Sequence, residues 1–221
     1  FFVEEVCKSL IEEGKLYREN GRWRRPGMDE IQVPQSVRVA IQGRIGKLPA
    51  PAQDALRVAA ILGREFDFET LHKASEQDED ILIDALEMAE RAQLIGEVKG
   101  KGRETFSFAH ALIPATLRES VSGVRRHRFH RRVAAAIESL RPDDLEALAY
   151  HYGEAGDEAR ALTYYLHAAD RAGKLYANED AIRFYSEALA LTPEDHPERF
   201  DLLAARAKAY DLIARREPQR A

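Results

Sequence analysis

His110 stands directly after the alternating run Thr105-Phe106-Ser107-Phe108 and at the head of an apolar, helix-forming stretch. Two chemistries suit a histidine in that place. It can cap the helix that follows, or it can face a ligand at a domain junction and donate to a phosphate, reporting on charge. The residues alone leave both open. A second group is Val124-Arg125-Arg126-His127-Arg128-Phe129-His130-Arg131-Arg132, which packs five arginines into one helix start. On a helical wheel Arg125, Arg128 and Arg132 share a flank, which suits an anion or partner contact. Arg126 and Arg131 point elsewhere, and acids follow at Asp143, Asp144, Glu146, Glu154, Asp157 and Glu158. A solvated helix with local ion pairs is therefore the competing reading. The tyrosines Tyr150, Tyr152, Tyr164, Tyr165, Tyr176 and Tyr185 suit either a binding groove or the packing of stacked helices with hydroxyls at the edge.

Motifs that carry catalysis are absent from the sequence. Gly100-Lys101 has none of the other parts of a P-loop, so the chain cannot cradle a triphosphate by that device. There is no serine nucleophile elbow, no Cys–His motif spacing and no His-Glu-x-x-His, so the chain reads as non-catalytic and without a metal site. Cys7 is the only cysteine, which excludes an internal disulfide and suits a reducing cytosol. Against 33 Lys and Arg stand 38 Asp and Glu, a net charge of −5 that excludes an overall electrostatic nucleic-acid binder. No apolar run approaches the roughly 18–20 residues that span a bilayer, so a soluble, cytoplasmic chain without a membrane partner is expected.

The elements that must position these residues are mostly helical. A helix is expected over 2–13, with Val3, Val6 and Leu10 on one side and Gly14 as its stop. Asn20-Gly21 between short alternating runs predicts a hairpin. Val37, Ile41, Ile45 and Leu48 recur at helical spacing, and further helices are expected over 52–62, 66–74 and 78–93. Leu94-Ile95 and Thr105–Phe108 then form one small β-hairpin. Several helices followed by a hairpin describe a winged-helix domain. Its candidate recognition helix carries Asp78, Glu79, Asp80, Asp84, Glu87 and Glu90 against Arg91 alone, a face that repels phosphates. Helices over 110–121 and 125–140 follow. From Pro142 on, Ala161–Ala169 resembles Ala181–Leu189 at an offset of about 20 residues, not the 34 of a regular tetratricopeptide repeat. A degenerate array of that type is expected, with its third helix over 197–213.

Taken in order, Phe1-Phe2-Val3-Glu4-Glu5-Val6, Val33-Pro34-x-Ser36-Val37-x-x-x-Ile41-x-x-Arg44-Ile45-x-x-Leu48-Pro49, Ala59–Phe66, Phe106–Ile113 and His130–Ala134 resemble the C-terminal half of bacterial STAND-type regulatory ATPases. These regulators are often fused to adenylate/guanylate cyclase, protein kinase or LuxR-type output domains. The resemblance implies a lid remnant with a short hairpin over 1–32, a winged-helix domain over 33–140 and a truncated tetratricopeptide-like array over 141–221. It implies that the P-loop domain, with ATP or ADP and magnesium, lies upstream and is cut away here, just after a Gly-Asn-Pro turn. His110 falls where related switches carry the histidine of a Met-His-Asp motif that contacts the β-phosphate of ADP. Here Ala109 and Ala111 replace the flanking Met and Asp.

The expected function is thus the non-catalytic regulatory and sensor portion of a nucleotide-switched signalling ATPase. Its partners would be the upstream nucleotide-binding domain and a protein or inducer on the helical array, with DNA disfavoured. The alternative is a DNA-binding winged-helix transcription regulator with a helical sensor domain. A third reading is a purely scaffolding repeat protein.

Overall fold

A computed structural model describes residues 11, 17–19, 22–24, 35–100 and 103–214. The expected opening helix, the Asn20-Gly21 turn, the wing-tip residues Lys101 and Gly102 and the C-terminal end lie outside the described residues. The chain is mainly helical with a small antiparallel sheet, and it divides into two compact units, residues 1–122 and 123–221. No described helix is long and apolar enough to cross a membrane.

In the first unit, β1 (Tyr17–Glu19) pairs antiparallel with β2 (Arg22–Arg24). Helix α1 (Gln35–Gly46) precedes the central helix α2 (Ala50–Leu62). Pro51 sits in the first turn of α2, where a missing N–H costs no helical bond. Ala52, Ala55, Ala59 and Ala60 are fully buried on α2. Side chains this small let the neighbouring helices approach closely. They are α3 (Phe68–Ser75), α4 (Glu79–Arg91) and α5 (Leu112–Ser120). Asp67 caps α3 by accepting the Thr70 N–H at 2.9 Å, and Asp78 caps α4 by accepting that of Asp80 at 3.1 Å. Leu82, Ala85, Leu86 and Ala89 form the inward stripe of α4, at the spacing one helix face requires.

The sheet corrects the expected single hairpin. Residues 66–74 are not one helix: β3 (Glu65–Asp67) precedes α3 and joins β4 (Ile95–Glu97) and β5 (Thr105–Phe108) in the order β3-β5-β4. The reason is the cross-strand pairing of Phe66 with Phe106. Their rings stack at 5.9 Å, and Phe108, two residues on, meets Phe66 at 5.5 Å. Aromatic cross-strand pairing outweighs the weak local helix signal at Phe66.

The second unit holds α6 (Gly123–Leu140), α7 (Leu145–Glu154), α8 (Glu158–Lys174), α9 (Asn178–Leu191) and α10 (Arg199–Ala214), and from α7 on each packs on its predecessor. The unit boundary falls at Ser122/Gly123, so α6, expected as the end of the 33–140 domain, belongs to the helical array. The cause is its apolar stripe, Phe129, Val133, Ala136 and Ile137, which is buried against α7. The apolar centre of the array is built from Ala168, Ala169, Ala172, Ala181, Phe184 and Ala209.

Candidate functional site

His110 is half-buried just before α5. Its Nδ1 accepts the Leu112 backbone N–H at 3.2 Å, satisfying one of the orphan donors of the helix start. The capping role therefore accounts for one ring nitrogen. In the neutral ring the proton must then sit on Nε2, which makes that atom a donor.

Arg125 and Arg128 are exposed, as are Arg126 and Arg131, whereas Arg132 is half-buried. Residues 123–128 are all exposed. Ion pairs expected within this segment do not form at Arg125, Arg126, Arg128 or Arg131, and none of the four has an ion-pair partner among the described residues. Two of the acids that follow pair elsewhere, Glu146 with Arg183 at 2.8 Å and Asp157 with Arg160 at 3.6 Å.

The tyrosines divide. Tyr152 is buried and stacks on Tyr164 at 5.6 Å with ring planes 3° apart. Both hydroxyls donate to the carboxylate of Glu138, at 2.6 and 2.5 Å. Arg160 donates to the Tyr152 hydroxyl at 2.8 Å and lies 5.0 Å from its ring centre. The two tyrosine bonds hold the Glu138 carboxyl below the usual carboxylate range. Burial first, then the bond to Glu138, pushes Tyr164 up to about 12. This network ties α6, α7 and α8 together. Tyr150 and Tyr176 are exposed.

Between the starts of α7 and α9 lies an open cleft of about 240 Å³, its floor lined by Leu145, Ala168, Ala172 and Phe184 and its rim by Asp143, Asp144, Glu146 and Asp180. Arg183 bridges the rim, donating to Glu146 at 2.8 Å and to Asp180 at 3.2 Å, and lies 4.3 Å from the Phe184 ring centre. Acids in the first turns of two helices also complement the helix dipoles.

A buried histidine pair was not expected. His130 on α6 and His151 on α7 are 3% and 4% exposed, with Nδ1 to Nδ1 3.0 Å apart. At that distance one ring donates and the other accepts, so the accepting ring is neutral, and His130 Nε2 also lies 4.0 Å from the Glu154 carboxylate. Burial, then His130 and Arg141, lowers the His151 pKa to about 3. The signal was present in the spacing. His130 falls with Val133, Ala134 and Ile137 on the buried side of α6, and His151 falls with Leu148 and Tyr152 on α7. No group of residues suited to a metal ion occurs among the described residues.

No family model matches the chain, and no solved structure matches it. It is similar to a peroxide stress-activated histidine kinase, mak3, of Schizosaccharomyces pombe, 25% identical over 168 residues, 72% of this chain and 7% of that protein. It is also similar to an uncharacterized protein of Rhizobium meliloti, 26% identical over 224 residues, 96% of this chain and 21% of that one. The chain therefore spans only a small part of either relative's length.

Proposed function

We propose that the chain is the non-catalytic regulatory and sensor portion of a nucleotide-switched signalling ATPase of the STAND type. In this reading an upstream domain binds ATP or ADP with magnesium, in the cytoplasm. Residues 33–140 include a winged-helix domain whose orientation follows the nucleotide, and the helical array offers a surface to a protein partner or inducer. Such a device is a bistable arrangement biased by differential ligand contacts. The observation that carries the proposal is the ordered set of resembling segments, one of which places His110 just before α5 with its Nδ1 accepting the Leu112 N–H. A ring with its proton on Nε2 is the form a phosphate contact requires. The likeness to a protein named as a stress-activated kinase supports a signalling role.

The test begins with the gene sequence upstream of Phe1, where a Gly-Asn-Pro turn, a P-loop and an acidic Walker B strand are expected. His110→Ala in the protein carrying both parts should then weaken ADP retention by about tenfold, the worth of one charge-assisted hydrogen bond. Unchanged ADP affinity on titration calorimetry would remove His110 from the switch. An upstream region without a P-loop would remove the switch itself. The DNA-binding alternative has one observation in its favour, the exposed Arg125, Arg126, Arg128 and Arg131 of α6. It requires duplex binding that weakens steeply with salt.

A further inference from the structure

Two helix faces in this chain carry an excess of opposite charge. On α4 the outward stripe runs Asp80, Asp84, Glu87, all exposed. Asp80 and Asp84 have no ion-pair partner among the described residues, and Glu87 meets only Arg91, at 2.7 Å. Large apolar side chains flank the stripe and are also exposed: Ile81 at 48%, Ile83 at 40% and Met88 at 37%. On α6 Arg125 and Arg128 share a flank and Arg131 lies further round the helix, all three exposed, with Val124 86% exposed beside them.

The spacings correspond. At a rise of 1.5 Å per residue, Asp80 to Glu87 spans about 10.5 Å and Arg125 to Arg131 about 9 Å. Laid antiparallel, Arg125 meets Glu87, Arg128 meets Asp84, and Arg131 comes within side-chain reach of Asp80. Guanidinium groups suit this use because they pair with carboxylates through a planar fork. Ion pairs at a rim give orientation and encounter rate more than affinity. Ile81, Met88 and Val124 supply apolar surface whose burial adds to it. The exposed start of α6 displays no Phe, Tyr or Trp to stack on bases, which disfavours single-stranded nucleic acid as its occupant.

We infer that α4 of one copy docks on the arginine face of α6 of a second copy. The contact is heterologous, so it either pairs two copies reciprocally or propagates head to tail. It does not depend on the nucleotide-switch reading. Sedimentation velocity of the whole chain over a concentration series is the test. Association is expected, weakening by roughly tenfold or more between low and high salt as the Debye length shrinks. The triple variant Arg125→Glu, Arg128→Glu, Arg131→Glu should be monomeric, and so should Asp80→Lys with Asp84→Lys. Circular dichroism verifies that each remains folded. Mixed in equal amounts, the two variants should form a one-to-one dimer, since each retains the face the other lost.

Three results would overturn the inference. The wild-type chain could remain monomeric throughout. It could associate equally well in both variants, or the two monomeric variants could fail to recombine. A monomeric chain that binds duplex DNA or anionic vesicles through the same arginines would assign the face to a polyanion instead.

Discussion

The histidine pair shows how a single buried residue sets a pH limit on folding. Above pH 6.5, the ordinary value for histidine, His151 is neutral in both folded and unfolded chains and contributes no pH dependence. Below it the unfolded chain takes up a proton that the folded chain refuses until about pH 3. Stability of the second unit therefore falls across that window, by at most about 1.4 kcal/mol per pH unit from this group. Urea titrations at successive pH values should show the decline, and His151→Asn should flatten it. Glu138 acts in the same direction at lower pH. Its depressed carboxyl stabilises the fold above 4.5, and that contribution is lost as pH falls through the folded value. Glu138→Ala removes the acceptor of two tyrosine hydroxyls and should cost about 1–2 kcal/mol, discounted because the carboxylate is partly exposed. An unchanged urea midpoint would show that solvent replaces both bonds.

At the scale of elements, the turns of the array repeat more faithfully than its sequence. Asp157 N–H bonds the Tyr152 carbonyl and Gly156 N–H that of Gly153; twenty residues on, Ala177 bonds Ala172 and Tyr176 bonds Gly173. Both are Schellman closures with the penultimate residue in the left-handed region, Gly156 at φ 76° and Tyr176 at φ 59°. Only the first uses glycine. Gly156→Ala meets no atom within 4 Å, so its cost is backbone strain alone, about 1 kcal/mol. Tyr176→Gly should gain at most about 0.5 kcal/mol, the relief of the same strain less the added freedom of the unfolded chain. Thermal unfolding of the two variants should move the midpoint in opposite directions.

For the molecule as a whole, the two compact units predict separable responses. The acid-sensitive histidine pair and the Glu138 network lie entirely in the second unit. Lowering pH from neutral towards 5 should therefore speed hydrogen exchange in α6, α7 and α8, after correction for intrinsic rates, before it affects α2, α4 or the sheet. A uniform acceleration along the chain would show that the units unfold as one.

The sequence by itself determined the mainly helical class and most helix spans, because helical periodicity is a local signal. It placed β4, β5 and α4 to within a few residues. It could not place β3, because the strand exists only through Phe66 meeting residues some 40 positions away. It assigned α6 to the preceding domain, because nothing local says which unit an apolar stripe will be buried in. Of the candidate residues, His110 and the arginines of α6 were visible from type and spacing. What their surroundings do was decided in three dimensions. The structure shows Leu112 occupying one nitrogen of His110, acids that turn to other partners, and two histidines, each sitting unremarked on an apolar helix face, that come within hydrogen-bond distance only when α6 and α7 pack.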